Sequence, residues 1–152
     1  MENEFTELDL FTIAGECVAV RIRMINRVIT AIYDERFRPV GIKASQMNIL
    51  VALAVFGPHK QADICRVLKI DPSTLSRNVD RMKRNGWLEK TDGPDDEPGL
   101  VAVTPRGRKK IAEAFPAWND AQEEVRSALG DEAIDGIMRL GDKLLGFDPG
   151  SP

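Results

Sequence analysis

One histidine, His59, and two cysteines, Cys17 and Cys65, are all the imidazole and thiol chemistry in the chain. There is no Cys/His cluster to hold a structural zinc, and no metal or other cofactor is expected. Two cysteines 48 positions apart are not a disulfide framework, and a cytoplasmic location is the natural reading. The longest unbroken apolar run, Ile49 to Phe56, is eight residues, against the roughly 20 needed to span a bilayer, so no membrane partner is expected. The opening Met-Glu-Asn-Glu has neither the basic nor the apolar region of a secretory signal. A phosphate-binding glycine loop, a nucleophile elbow and an HExxH helix are all missing. Carboxylates are plentiful, but none is placed by sequence into a pair. An enzyme is not expected.

What remains is an ordinary globular composition. The 152 residues are 43% apolar and 30% charged, enough for one domain with a real core. The net charge of −3 is unevenly spread. Residues 1–20 carry five acids and no base, and residues 91–105 carry four acids and no base. Residues 21–59 and 60–90 are each +4, and residues 106–111 hold four bases. Basic central blocks in an acidic chain suit an anionic partner, and equally suit solvated helix faces.

Periodicity orders the elements. From Phe11 to Tyr33 the pattern is one long helix with two apolar stripes. One runs Ile13, Cys17, Val20, Met24, Val28, Ala31; the other runs Val18, Ile22, Ile25, Ile29, Ile32. Two apolar sides on a helix at the end of a small chain call for a second subunit. Arg38-Pro39-Val40-Gly41 breaks that helix. Ser45 is a candidate cap for a helix over Gln46 to Phe56, and a third helix runs Gln61 to Leu68. After a turn at Lys69-Ile70, Asp71 caps a fourth helix with Pro72 at its first position, and Gly86 stops it. Trp87–Thr91 and Leu100–Val103 read as two strands of a hairpin around a turn-rich tip, Asp92 to Gly99. His59 reads as a surface loop residue. Thr104 and Pro105 start a helix to about Leu129, which Pro116 should kink or end early. Gly130-Asp131 starts the last, with Ile134, Ile137, Met138, Leu140, Leu144 and Leu145 apolar. Two short helices around a tight turn, followed by a hairpin, make a winged helix-turn-helix.

The segment from Asp71 to Gly86 carries the chemistry. With Arg77 at zero on a helical wheel, Ser73, Arg84, Arg81, Thr74 and Asp80 all fall within about 60°, while Leu75, Val79 and Met82 lie opposite. Short hydroxyl residues at a helix start can approach phosphates or base edges. A guanidinium one turn in can present its fork to guanine O6 and N7. Arg81 and Arg84 lie further along, where phosphates flank a groove.

The chain resembles the MarR family of dimeric winged-helix transcriptional regulators over nearly its whole length. The resemblance is carried by Gly41-Ile42-Lys43-Ala44-Ser45-Gln46, by Asp71 to Met82 with Asn85-Gly86-Trp87-Leu88, and by Val103-Thr104-Pro105-Arg106-Gly107. It implies a mainly α fold with a small β-wing. The winged helix-turn-helix region would be residues 42–104, with dimerisation helices over 8–36 and 105–146, in a single MarR-like chain, 1–152. It implies sequence-specific binding to double-stranded DNA at a palindromic operator by a homodimer, and repression released by a small ligand or oxidant. A small aromatic acid is the default effector, in a cavity lined from the first, second and fifth helices. The DNA-binding set is Ser73, Thr74, Ser76, Arg77, Arg81 and Arg84, with Lys90 at the wing base. The family's wing tip usually carries an arginine for the minor groove. Here it holds four acids and no base, so minor-groove reading by the tip is not expected. Cys17 lies near where some members carry a peroxide-sensing cysteine. It has two readings, a redox sensor with Arg21 one turn on, or a small buried hydrophobe. A second function stays open beside the first: a winged-helix protein–protein interaction module without DNA binding, which the acidic wing and net charge suit.

Overall fold

A computed structural model describes residues 5–94 and 97–146. Seven helices and one small sheet are found there. The helices are α1 (Glu7–Glu16), α2 (Val18–Phe37), α3 (Ala44–Phe56), α4 (Gln61–Leu68), α5 (Pro72–Arg84), α6 (Pro105–Leu129) and α7 (Asp131–Leu145). A 3-10 turn, Arg38–Val40, follows α2. Strands β1 (Leu88–Thr91) and β2 (Leu100–Val103) pair antiparallel, with Leu88 opposite Val103 and Thr91 opposite Leu100.

The core lies under the helix-turn-helix. Ile49 and Leu50 of α3 and Leu75, Val79 and Met82 of α5 are fully buried, packed with Ile64, Trp87 and Val101. Phe37 of α2 and Ala114 of α6 close the cluster from the other side. The two long helices are joined further along by the Tyr33 hydroxyl, which donates to Gln122 Oε1, and by Arg36, which meets Glu124 Oε2 at 2.7 Å.

Several expectations need correction. The long first helix is two helices: the chain breaks at Cys17, whose ψ of 104° is extended. Gly15 weakens the helix there. Its freed carbonyl accepts from Arg21 Nη2 at 2.7 Å, a donor that replaces the lost helical N–H. Helix α3 starts at Ala44, two residues before the expected Gln46, and Ser45 is not its cap. The Ala44 N–H donates to Asp34 Oδ1 of α2 at 2.7 Å, and the Lys43 N–H to Gln46 Oε1 at 3.1 Å. His59 is not a loop residue. Its N–H and C=O form a bridge to Val101 at 3.2 and 2.9 Å, adding a third, one-residue rung to the wing sheet. Trp87 precedes the first strand rather than opening it. Helix α6 runs unbroken through Pro116. Pro116 and Ala112, whose carbonyl loses its donor, both face solvent, where water can take that bond.

Candidate nucleic-acid interface

Helix α5 is held at its start by local chemistry. The Asp71 carboxylate accepts from the Thr74 N–H at 2.9 Å and from the Ser73 hydroxyl at 2.6 Å. These bonds hold its carboxyl well below the usual carboxylate range. Pro72 at the first helical position supplies the right φ without wasting a donor. Lys69, in the left-handed region at φ 53°, makes the sharp turn from α4. The preceding helix therefore sits against α5 at a fixed angle.

Leu75, Val79 and Met82 each have no exposed surface, so the opposite face of α5 is fixed outward. Ser73, Ser76, Arg77, Arg81 and Arg84 are exposed there, with Asp80 among them. Thr74 is half-buried, and its carbonyl accepts from Asn78 Nδ2 at 3.2 Å. Among the described residues none of Arg77, Arg81 and Arg84 forms an ion pair, leaving three guanidiniums on one face without a carboxylate partner. Lys90 is exposed in β1, apart from that face.

The wing is acidic as read, and one of its acids is engaged. Glu97 Oε1 lies 2.5 Å from Lys60 Nζ at the entrance to α4. The returning arm of the tip is thereby tied to the helix-turn-helix. The pair spans 37 positions, and the local sequence gives no signal for it. Asp92 is exposed, and Asp95 and Asp96, the other two acids of the tip, lie outside the described residues.

The far end of α5 is locked to α6. The Thr104 hydroxyl donates to the Gly86 carbonyl at 2.6 Å and accepts from the Gly107 N–H at 3.0 Å. The Thr104 N–H donates to the Trp87 carbonyl at 3.0 Å. A Cβ at Gly107 would stand 2.2 Å from that carbonyl oxygen. The Thr-Pro-x-Gly run is a close docking of α6 onto the exit of α5.

Cys17 is half-buried at the α1–α2 break and faces a groove of about 470 Å³ with Val20, Met24, Ile25 and Val28. The Arg21 guanidinium, its expected activator, bonds the Gly15 carbonyl. Two clefts touch helices expected to line an effector cavity. One is this groove on α1 and α2, with Leu129 of α6 in its wall, and the other lies at the α5–α6 junction.

Helix α4, the Lys69 turn, helix α5 and a β-wing packed on a long α6 define a winged helix-turn-helix protein. A model of the MarR family matches residues 40–97, the span from the turn after α2 to the wing. The HTH-type transcriptional regulator YwoH of Bacillus subtilis is 30% identical over 120 residues, covering 79% of this chain and 88% of that protein. The multiple antibiotic resistance protein MarR of Salmonella typhimurium is 31% identical over 114 residues, 73% of this chain and 79% of that protein. The chain belongs to the MarR family and is a transcriptional regulator of that family. Solved structures share the fold. A mutant MarR from E. coli complexed with operator DNA has a TM-score of 0.74 at 23% identity, covering 88% of this chain and 97% of that one. BpsR of Bordetella bronchiseptica, whose DNA binding is regulated by 6-hydroxynicotinic acid, has a TM-score of 0.75 at 24% identity, covering 88% and 96%.

Proposed function

We propose that the chain is a repressor that binds a palindromic double-stranded operator as a homodimer, with α5 in the major groove of each half-site. The observation that carries this is the outward face of α5: three guanidiniums without carboxylate partners, beside Ser73, Thr74 and Ser76, on a helix pinned from behind by Leu75, Val79 and Met82. Arg77 sits at the centre of the face and reads base edges. Arg81, Arg84 and, from the wing base, Lys90 hold phosphates. Residues 42–104 are the DNA-binding region.

The dimer is built by residues 8–36 and 105–146. Phe11, Ile13, Val18, Met24 and Val28 of α1 and α2 are each at least half exposed in the protomer, as are Met138, Leu144 and Leu145 of α7. Apolar surface of that extent, at both ends of the chain, is covered by a second copy. Release follows a small aromatic acid, as regulation by 6-hydroxynicotinic acid in BpsR suggests, or oxidation at Cys17. The protein works in the cytoplasm, and no single helix among the described residues is long and apolar enough to cross a membrane.

The acidic wing favours one other reading, a winged-helix module that binds protein instead of DNA. Sequencing of genomic fragments retained by the purified protein separates the two. Enrichment of an inverted repeat supports the repressor, and retention of no DNA moves the function to the interaction module.

A further inference from the structure

We propose that the cleft between the Arg38–Val40 turn, the exit of α5 and the first turns of α6 binds a small multivalent oxyanion, a polycarboxylate or a phosphoryl compound. The cleft encloses about 690 Å³, within the size range of small-molecule sites. It shares no residue with the outward face of α5, and it goes beyond the DNA-binding reading without depending on it.

The charges on its walls do not balance. Arg106, Lys109 and Lys110 face it with one acid, Glu113, in a chain whose net charge is −3. Lys110 is already held. Its ammonium lies 3.2 Å from the Val40 carbonyl, 2.8 Å from Glu113 Oε2 and 5.5 Å from the centre of the Trp87 ring. It is a fixed cation in the wall of the cleft, and its pairing with Glu113 uses the one carboxylate there. Arg106 and Lys109 are exposed and form no ion pair among the described residues.

Arg106 is also positioned. Its Cδ lies 3.4 Å from where a Cβ of Gly86 would stand. The Arg106 stem therefore runs beside the Gly86 backbone, whose φ of 72° makes the turn out of α5. The Thr104 lock fixes both ends of this arrangement, since it joins Gly86 to the start of the helix that carries Arg106 and Lys109. The amino end of the 25-residue α6 adds its own positive potential.

The wall chemistry also selects the ligand class. Trp87 is 6% exposed and has Lys110 over its ring, so no free aromatic face is offered for stacking. A planar guanidinium fork with a neighbouring ammonium fits two oxygens of a carboxylate or phosphate. A second anionic group is needed to use Lys109 as well. A monovalent aromatic acid would engage one cation and leave the others unmatched.

The test is calorimetric titration of the full-length protein, without DNA, at constant ionic strength near 0.15 M. The probes are citrate and pyrophosphate, with acetate and salicylate as monovalent comparisons. Saturable binding of citrate or pyrophosphate below about 1 mM is expected, weakened about tenfold by Arg106→Gln and again by Lys109→Gln. Citrate alone would mark a polycarboxylate site, and pyrophosphate alone a phosphoryl site. Both side chains are exposed, so the variants should melt with wild type when no ligand is present. Absence of binding by either probe overturns the proposal, as does equal affinity in wild type and the double variant, or salicylate binding as tightly as citrate. None of these results bears on whether α5 binds DNA.

Discussion

Replacing Gly107 by alanine should loosen the joint between α5 and α6. The added Cβ would stand 2.2 Å from the Trp87 carbonyl oxygen and 2.9 Å from Val103 Cγ1, where ordinary contact needs well over 3 Å. The carbonyl cannot move aside cheaply. It accepts from the Thr104 N–H, and it belongs to a tryptophan that is 6% exposed in the core. Helix α6 must therefore back away, stretching the Thr104 bonds to Gly86 and Gly107. Overpacking of this kind costs about 1–3 kcal/mol, and a clash with backbone belongs at the upper end. Alanine's better helix propensity returns roughly 1 kcal/mol. The net is a loss of about 2 kcal/mol, or a midpoint lower by roughly 4–8 °C for a domain of this size. Thermal unfolding followed by circular dichroism, at one protein concentration, reads the shift. A midpoint equal to or above that of wild type would refute the argument that Thr104 and Gly107 clamp α6 onto the exit of α5.

Three further expectations follow from the same geometry. The Asp71 carboxyl titrates well below its unfolded value of about 3.9, so its stabilisation is complete above that pH and fades as pH falls below it. Asp71→Asn keeps the cap shape without the charge, and its melting midpoint should fall less steeply than wild type between about pH 5 and 2.5. Ile137→Asp with Leu144→Asp alters side chains that are 46% and 68% exposed in the protomer. The double variant should halve the mass measured by light scattering while leaving the helical spectrum intact, and an unchanged mass would place the dimer elsewhere. Arg84→Ala should weaken binding to all DNA sequences alike and lower the salt slope by about one, as loss of a phosphate contact does.

Parts of this fold are legible where the deciding chemistry is local. Asp71-Pro72 and Thr104-Pro105 each put a capping oxygen and a pre-set φ side by side, and both helices start there. Gly86 and Gly130 end the preceding helices because only the local φ matters. The outward face of α5 follows from spacing alone, since Leu75, Val79 and Met82 can bury only one way. The break at Cys17 is hidden because the apolar period runs straight across it, and the Arg21 bond to Gly15 that stabilises it spans six residues. The start of α3 depends on Asp34, ten residues earlier on another helix. A one-residue bridge at His59 leaves no alternating pattern to read. The basic cleft is invisible for the same reason. Asn85 and Arg106 are far apart in sequence and meet only through the Thr104 lock.

The central claim is that α5 reads base edges through Arg77, and it is tested most directly by titrating wild type and Arg77→Ala against a palindromic operator and scrambled DNA at several salt concentrations. The account predicts a loss of about 1–3 kcal/mol per half-site on the operator, felt twice by a symmetric dimer, with much smaller loss on scrambled DNA because Arg81, Arg84 and Lys90 keep the phosphate contacts. Equal losses on both DNAs would contradict it, making Arg77 a phosphate contact rather than a reader of the groove.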